Sequence, residues 1–466
     1  MQTRREIDTL GEVAVPADAL YGAQTARAVM NFPISGWHAF PAFIRATVLV
    51  KKAAALANHG SGRLDADLMG AIVAVCDEIV AGKHHDEFVV DVFQAGAGTS
   101  HNMNANEVIA NRANQILGAG KLGEYARVNP NDHVNMSQST NDVTPTAIRL
   151  ALLDLTGPVA EELDHLAASF AGHAERYAGA VKPGRTHLQD AVPITFGQEF
   201  GGYAVRLRSA AARLRASRAE LCELGIGGTA AGTGLNADPE YRRRVCRSLA
   251  EWTGDPIVPA PDLFASMQSA AAFVRTSSGM RTAAVELSSI ANDIRLMVSG
   301  PRTGFGELIL PAVQPGSSIM PGKINPSMAE MVDQVCYQVI GNDTAVMLGA
   351  QAGQLELNVM MPGMNFALCF SATILANALR AFRTKCIDGL RVDEERAKEL
   401  VDASPSLIVT ALAPHIGYAN AAKLVKRALA ERRPLIDVAL DERVLPEADL
   451  RRILDPLPMT KGGVQS

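Results

Sequence analysis

The sequence predicts a mostly α-helical protein. Residues 203–224 contain no glycine or proline and space their apolar side chains three and four apart, as one face of a helix does. No run alternates apolar and polar residues over a sustained length, so any sheet should be small. Hydrophobic residues make up 48% of the chain but aromatic residues only 5%. This abundance of small apolar side chains favours helices packed on helices.

Four segments are the long helical candidates: residues 144–177 with a bend at Gly157–Pro158, residues 203–224, residues 266–297 with a break at Gly279, and residues 328–341. Asn325–Pro326–Ser327 is a plausible entry to the last of these, because proline and serine both suit a first helical turn. Helices of this length cover their apolar stripes by bundling, so the pattern also indicates an oligomer.

The chain has 466 residues, which predicts roughly two to four domains. Turn-rich stretches at Asn129–Asp132 and Gly389–Val392 divide it. We therefore expect an N-terminal domain at residues 1–138, a central helical domain at 139–392 and a small C-terminal domain at 393–466.

Composition excludes several classes of protein. A net charge of −5 gives no overall basic field for nucleic acid. The six cysteines form no C-x-x-C pair, so a zinc site or a disulfide framework is not expected. No signal peptide or membrane-length apolar run is evident, and we expect a cytoplasmic protein without a membrane partner. His84–Glu87 invites a metal hypothesis, but it has no partner cluster, and a solvated surface is the better interpretation.

Residues 316–325 read GSSIMPGKIN and carry the strongest chemical signal. Two serines, a lysine and an asparagine share one loop bounded by glycine and interrupted by proline. A P-loop needs four residues between its glycines, whereas five separate Gly316 from Gly322, and Ile324 stands where that motif has Ser or Thr. The loop is therefore not a nucleotide site. The GxGxxA match at residues 225–230 follows a helix, so it predicts an interhelical turn and not a dinucleotide site.

Other blocks along the chain accompany this loop in a fixed order: GAGTSHNMN at 96–104, VNMSQSTND at 134–142, GRTHLQDAVP at 184–193, GTAAGTGLN at 228–236 and NDIRLMVSGP at 292–301. Together they resemble the aspartase/fumarase superfamily. The resemblance implies a three-domain, mostly α-helical chain whose long central helices form the core of a homotetramer. It also implies active sites at subunit junctions, a small dicarboxylate substrate and no organic cofactor. Divalent metal activates some relatives, but no metal-ligand set is legible here.

By resemblance, Ser317 is the general base of a β-elimination. A serine hydroxyl is a weak base in water, so its ionised form must be stabilised by backbone N–H groups of the loop or by a helix N-terminus. The competing interpretation is that Ser317 only caps the following helix.

The resemblance also assigns the substrate contacts. Lys323 and Asn325 should bind the α-carboxylate together with Thr186 and His187. Asn141 and His187 should lie near the leaving group, with His187 paired to Glu330. The β-carboxylate, which becomes the aci-carboxylate intermediate, should be held by Thr99, Ser139, Thr140 and Ser318. Turn or cap chemistry competes with this role, for Ser139 above all. His101, two residues after Thr99, has no assigned role.

Context decides between branches of the family. Met136 stands where fumarases tend to carry lysine, and Thr140 where they tend to carry serine, which favours elimination of ammonia from L-aspartate to give fumarate. The alternatives are a class II fumarate hydratase and a related lyase that expels a different amine. From another class, a non-catalytic structural relative is disfavoured because the full Ser, Lys, His and Asn set is retained.

Overall fold

The structure is a computed structural model that describes residues 2–463. Its first part is a hairpin followed by four helices. The bounds are β1 Thr3–Asp8, β2 Gly11–Pro16, α1 Ala23–Asn31, α2 Pro41–Gly60, α3 Ala66–Val80 and α4 Thr99–Ile116. Short 3₁₀ turns at His85–Glu87 and Gly96–Gly98 precede α4, and a π-helical turn at Pro130–Val134 follows it.

The middle of the chain holds five long helices, α5, α6, α9, α10 and α11. In chain order the elements are α5 Thr140–Arg176, β3 Val181–Thr186, β4 Gln189–Thr195, α6 Phe196–Leu221, β5 Glu223–Leu224, α7 Tyr241–Thr253, β6 Val258–Pro259, α8 Leu263–Gln268, α9 Ala271–Met297, β7 Leu308–Ile309, α10 Ser327–Gln351 and α11 Met361–Phe382.

The last part is made of short helices. After a π-helical turn at Arg383–Ile387 come β8 Arg391–Val392, α12 Glu394–Asp402, α13 Pro405–Val409, α14 Ala413–Ile416, α15 Tyr418–Glu431, α16 Leu435–Asp441, α17 Glu447–Ile453 and α18 Pro456–Met459. All sheets of the described residues have two strands: β1–β2, β3–β4 and β7–β8 are antiparallel, and β5–β6 is parallel. The predictions of a mostly α-helical chain and of small sheets are confirmed.

By its contacts the chain divides into two compact units. The first contains the described residues of Met1–Glu161, Ala211–Ala284 and Cys336–Ala376. Its core lies among α2, α3 and α4, where Ile72, Val75 and Ile109 are fully buried. Between α10 and α11, the Asn342 Nδ2 donates to Ser371 Oγ at 2.9 Å.

The second unit contains the described residues of Glu162–Ala210, Val285–Val335 and Asn377–Ser466. Its part of α6 contacts α9 through Tyr203, whose hydroxyl donates to Asp293 Oδ2 at 2.9 Å. Arg380 of α11 pairs with Glu162 of α5 at 2.8 Å. Its C-terminal helices enclose a separate apolar cluster that includes Leu435. The predicted domain limits after residues 138 and 392 stay predictions.

Two predicted helix limits are wrong. Residues 223–224 belong to β5 and not to a helix, because they pair with β6. The break expected at Gly279 falls instead at Ser269, whose extended backbone ends α8 while its hydroxyl accepts from Ala271 N at 3.3 Å. Gly279 continues α9. A Cβ there would lie 3.3 Å from Leu214 Cδ1, so the missing side chain lets α6 approach closely.

One described helical stretch, Met361–Ile387, is long and apolar enough to cross a membrane by length and composition alone. Within it, 61% of the apolar window is buried inside the protein. Such burial is that of a core helix, and this stretch fills the interior with Leu368, Leu375 and Leu379.

Candidate active site

Thr99, the first residue of α4, is exposed. The preceding residues Ala97 and Gly98 have φ of 59° and 84°. A Cβ at Gly98 would lie 2.9 Å from Thr144 Oγ1, so only glycine allows this loop to lie against α5. The sharp turn leaves the Thr99 hydroxyl at an open helix N-terminus, with only a long 3.5 Å contact to Gly96 O.

Ser139, Thr140 and Asn141 are half-buried at the start of α5. Ser139 Oγ accepts from the backbone N–H of Asn141 at 3.2 Å. Ser139 therefore has the capping role that competes with its predicted substrate contact, although its hydroxyl proton is still available to a ligand. Asn141 Nδ2 donates to Ala230 O at 2.8 Å, which fixes the orientation of the amide.

Asp142 holds this turn in place. Its buried carboxylate accepts from the backbone N–H groups of Ser139, Gly227 and Thr229 at 2.9, 3.0 and 2.9 Å. Burial raises the pKa of Asp142 to about 7 although these N–H groups lower it. The VNMSQSTND and GTAAGTGLN blocks are thereby joined through a single carboxylate.

A buried series of hydrogen bonds, which the sequence analysis missed, leads from Lys51 to the hydroxyl of Thr140. Lys51 is fully buried, and its Nζ donates to Asn102 Oδ1 at 2.7 Å and to Asn135 Oδ1 at 3.0 Å. Asn102 Nδ2 in turn donates to Thr140 Oγ1 at 3.0 Å. Because that hydroxyl accepts from Asn102, its own proton remains for a substrate oxygen. Burial lowers the pKa of Lys51 to about 7.

Thr186 and His187 lie at the tip of the β3–β4 hairpin, and both are exposed. Thr186 pairs with Gln189, so His187 and Leu188 form a two-residue turn. Their φ angles are 55° and 59°, as in a type I′ turn, which normally favours Asn and Gly. Two non-glycine residues with positive φ store backbone strain of a kind that clusters at functional sites.

The GSSIMPGKIN loop begins shortly after β7 and ends where α10 starts. Ser317 Oγ accepts from the backbone N–H groups of Ile319 and Met320 at 3.2 and 3.0 Å. Since α10 begins only at Ser327, Ser317 does not cap that helix. Asn325 Nδ2 donates to Gly316 O at 2.7 Å and closes the loop on itself. Two N–H dipoles thus point at the oxygen that would carry negative charge.

Three charged or titratable side chains of the second unit have no partner in the described part of the chain. Across residues 2–463, the side chains of His187, Lys323 and Glu330 make no hydrogen bond or ion pair. The predicted His187–Glu330 pair is therefore absent within a single described chain. Lys323, Asn325 and Glu330 line a cavity of about 1000 Å³, together with Asn292 and Arg295 of the NDIRLMVSGP block. This volume easily admits a four-carbon dicarboxylate.

His101 is buried and serves the core. Its ring stacks on Phe43 with centroids 4.5 Å apart, and its Nε2 lies 3.0 Å from Thr47 Oγ1. Burial lowers the pKa of His101 to about 3. His84 and His85 likewise contact Glu78 and the Ile79 carbonyl, and no metal-ligating group of three is found in the described part of the chain.

The eleven predicted site residues fall into both units: Thr99 and Ser139–Asn141 belong to the first, and Thr186, His187, Glu330 and the GSSIMPGKIN loop belong to the second. In each unit the predicted residues lie at helix starts, at a hairpin tip or on a loop. Such positions present side chains while the elements behind them stay rigid.

Comparison with known proteins agrees with these blocks. The family described as "Lyase" matches residues 11–341, and "Fumarase C C-terminus" matches residues 408–461. The aspartate ammonia-lyase of Bacillus subtilis (strain 168) is 48% identical over 461 residues, which cover 99% of this chain and 97% of that protein. A class II fumarate hydratase of Ralstonia nicotianae is 47% identical over 441 residues, which cover 94% and 95%.

Solved structures give the same result. The cobalt-bound "fumarate lyase:delta crystallin" from Brucella melitensis has a TM-score of 0.94 and 48% identity, covering 98% of this chain and 100% of that one. The class II fumarase from Schistosoma mansoni has a TM-score of 0.94 and 36% identity, covering 98% and 99%. The chain is therefore a member of the aspartase/fumarase superfamily of lyases.

Proposed function

We propose that this protein is an aspartate ammonia-lyase that converts L-aspartate reversibly into fumarate and ammonia. The observation that carries the proposal is the environment of Ser317. Its oxygen accepts from two backbone N–H groups, and the same loop presents the ammonium of Lys323, which has no partner among residues 2–463. Aspartate ammonia-lyases are also prominent among the relatives that match nearly the whole chain.

The chemistry begins with proton abstraction. The ionised Ser317 takes a proton from C3 of aspartate, and the electron pair left on carbon moves into the adjacent β-carboxylate to form an aci-carboxylate dianion. When this dianion collapses, the C2–C3 double bond forms and the C2–N bond breaks, releasing ammonia and fumarate. The N–H groups of Ile319 and Met320 support this step because they stabilise the alkoxide that it requires.

Hydroxyl donors are suited to the dianion, since a neutral donor stabilises developing charge without binding the ground state as tightly as a cation would. In the first unit such donors lie at helix starts, where buried groups orient them. Asp142 accepts from the backbone N–H of Ser139, and Asn102 donates to the hydroxyl oxygen of Thr140. We assign the β-carboxylate to Thr99, Ser139, Thr140 and Ser318.

A cation and neutral hydrogen-bond donors are suited to the other end of the substrate. We assign the α-carboxylate to Lys323 and Asn325, together with Thr186 and His187. A charge-assisted hydrogen bond from Lys323 anchors this group, whose charge does not change. His187 and Asn141 are assigned to the amine side. The lone carboxylate of Glu330 is the partner that would orient His187.

We propose that the site is completed in a homotetramer. Two features support assembly: the charged site residues His187, Lys323 and Glu330 have no partners within one described chain, and the long helices expose apolar side chains. Val205 is 60% exposed, Val285 52% and Tyr337 58%. Exposed apolar side chains on long helices are typical of helices that pack against another copy. Light scattering on the purified protein tests this, and a monomeric active enzyme would contradict it.

A cytoplasmic location is also proposed. All six cysteines are buried free thiols, which is usual for a protein kept in a reducing compartment.

Fumarate hydration is the second candidate, because the Ralstonia nicotianae enzyme is nearly as similar as the aspartate ammonia-lyases. The side chain of Met136 favours ammonia elimination. It packs against the apolar core of the first unit, so it supplies no charge near the start of α5. A lysine at this position would add a positive charge within the VNMSQSTND block, four residues before Thr140 in sequence.

The test is release of fumarate by the purified protein, followed by ultraviolet absorbance, with L-aspartate and L-malate offered in parallel. Fumarate and stoichiometric ammonia from aspartate alone support the proposal. Turnover of malate alone would identify a fumarate hydratase and would reject the interpretation of Met136 and Thr140. Inactivity on both would indicate a lyase for a different amine or a non-catalytic relative, which a panel of N-substituted amino acids would separate.

A further inference from the structure

A buried ion-pair cluster lies where the β3–β4 hairpin meets the root of the GSSIMPGKIN loop. Arg185 directly precedes the Thr186–His187 pair. Glu307 directly precedes β7, from which the chain runs into the loop that carries Ser317. Both residues belong to the second unit, and 122 positions separate them in sequence.

The contact between them is bidentate. Arg185 Nη2 donates to Glu307 Oε1 at 2.8 Å, and Nη1 donates to Oε2 at 3.1 Å. The Glu307 side chain is fully buried and that of Arg185 is 13% exposed. The guanidinium carbon also lies 4.1 Å from the ring centroid of Phe305, two residues before Glu307. A planar guanidinium that makes two hydrogen bonds and stacks on a ring has a single orientation. The contact therefore fixes the position of Arg185 relative to Glu307 in addition to pairing their charges.

A second buried cation completes the cluster. Lys182 Nζ lies 2.6 Å from Glu199 Oε2 and 3.5 Å from Glu307 Oε2. The cluster therefore contains two cations and two carboxylates. Burial raises the pKa of Glu199, although Lys182 lowers it. Removing the charge of Glu307 would leave Arg185 without its buried counter-ion.

Backbone bonds make Glu307 rigid. Its N–H donates to Met297 O at the end of α9 at 2.8 Å, and its carbonyl accepts from Asp393 N at 2.9 Å. At the other end of the contact, the hairpin has an irregular register between Pro183 and Arg185 and a strained tip at His187. A strained turn persists only where its surroundings hold it. Two side chains flank this tip and are anchored outside the hairpin: Arg185 on β3 pairs with Glu307, and Asp190 on β4 accepts from Ser404 Oγ at 2.5 Å. Of the two, Arg185 connects the tip to the root of the GSSIMPGKIN loop.

We infer that Glu307 is a positioning residue, which acts through Arg185 to hold the Thr186–His187 hairpin tip in a fixed relation to the root of the Ser317 loop. This inference rests on the proposed function for its effect on turnover, but not for its effect on structure. The fully buried Glu307 side chain is not among the groups assigned to the substrate. Its role is to keep two functional segments of one chain in register, whether they serve one active site or neighbouring ones.

Arg185→Lys tests the geometry, because it keeps the positive charge and removes the fork. We expect kcat for aspartate to fall ~10- to 100-fold, as misplacement of reacting groups produces, with KM changed less than kcat. Glu307→Gln should have the same effect, and the double variant should lose no more than the worse single variant. Arg112→Lys is the matched control: Arg112 makes a bidentate pair with Glu78 away from these segments, at 2.8 and 2.9 Å, and should keep wild-type kinetics.

Amide hydrogen exchange separates failure of this inference from failure of the proposed function, since it needs no turnover. In Arg185→Lys, exchange should accelerate at least ~10-fold in both segments, residues 181–195 and 307–326, and remain unchanged in both for Arg112→Lys. Acceleration confined to the hairpin, or wild-type exchange in both segments, would overturn the inference. If Arg185→Lys does not fold, Glu307→Gln supplies the same readout. Inactive wild-type protein would reject the proposed function and leave the exchange result to decide this one.

Discussion

Replacing His101 by phenylalanine should make stability less dependent on pH. The Thr47 hydroxyl has one proton, which it donates to Phe43 O at 2.9 Å, so the 3.0 Å contact with His101 requires Nε2–H as the donor. The buried ring is therefore the neutral Nε2–H tautomer. Phenylalanine can keep the stacking on Phe43 and leaves Thr47 with its own donor bond intact. Only one hydrogen bond is lost, at a cost of about 1 kcal/mol.

The sign of the pH effect follows from the lowered pKa. In the folded protein the pKa of His101 is about 3, against 6.5 for the free side chain. The unfolded chain thus binds more protons between these values, and the stability that the neutral ring contributes is present above pH 6.5 and lost as the pH falls towards 3. From pH 7 to pH 5 the free energy of unfolding should drop by about 2 kcal/mol through this group alone.

The two effects have opposite signs, so the order of stability should reverse. His101→Phe should be about 1 kcal/mol less stable than wild type at pH 7 and about 1 kcal/mol more stable at pH 5. Urea titrations at both pH values, at one protein concentration, measure the difference. Thr47→Val is the control: it removes the same hydrogen bond but keeps the titrating ring, so its pH dependence should match wild type. A pH-independent difference between wild type and His101→Phe would refute the reasoning.

Three further changes probe the site. Lys323→Met should raise KM for aspartate ~10- to 100-fold, because a carboxylate loses a charge-assisted hydrogen bond, whereas the exposed Lys121→Met should leave KM unchanged; equal KM values in both variants would reject the carboxylate assignment. Asn102→Leu should destabilise the protein by about 3 kcal/mol, because it takes an acceptor from the buried Lys51, and should also raise KM through Thr140; a variant as stable as wild type in urea would contradict this. Asp142→Asn should cost about 2 kcal/mol at pH 8, where the carboxylate is mostly ionised and its three N–H bonds are strongest; an unchanged urea midpoint would show that these bonds do not hold the turn.

Much of the fold could be predicted because the long helices are encoded locally. Apolar spacing predicts α6 and α9 without any tertiary information. Their limits depend on contacts between distant residues. Leu224 leaves the helical pattern because it pairs with Pro259, and Gly279 stays in a helix because Leu214 packs against it. Serine is a residue type that starts helices, as Ser269 does before α9, whereas the glycine ten residues later lies inside that helix.

Part of the candidate site could be predicted from the sequence, and part depends on tertiary contacts. Motifs predicted which loops carry Ser317, Lys323 and His187, and those assignments remain proposals that the geometry supports. The groups behind the loops could not be predicted. Lys51 lies on the buried face of α2, whereas a lysine in a sequence is normally expected to be in solvent. Only the folded structure shows the side-chain amides that surround its ammonium. His187 and Leu188 are not residue types that indicate a turn. The hairpin imposes their positive φ, so the sequence does not predict it.

Ser317 is proposed to remove the C3 proton, and the rate of fumarate formation by Ser317→Ala at saturating aspartate is the decisive test of this role. We expect kcat to fall by ~10² to 10⁴, the usual contribution of a general base, with the far-ultraviolet circular dichroism spectrum and the oligomeric mass unchanged. A variant that turns over aspartate at the wild-type rate would show that another group is the base.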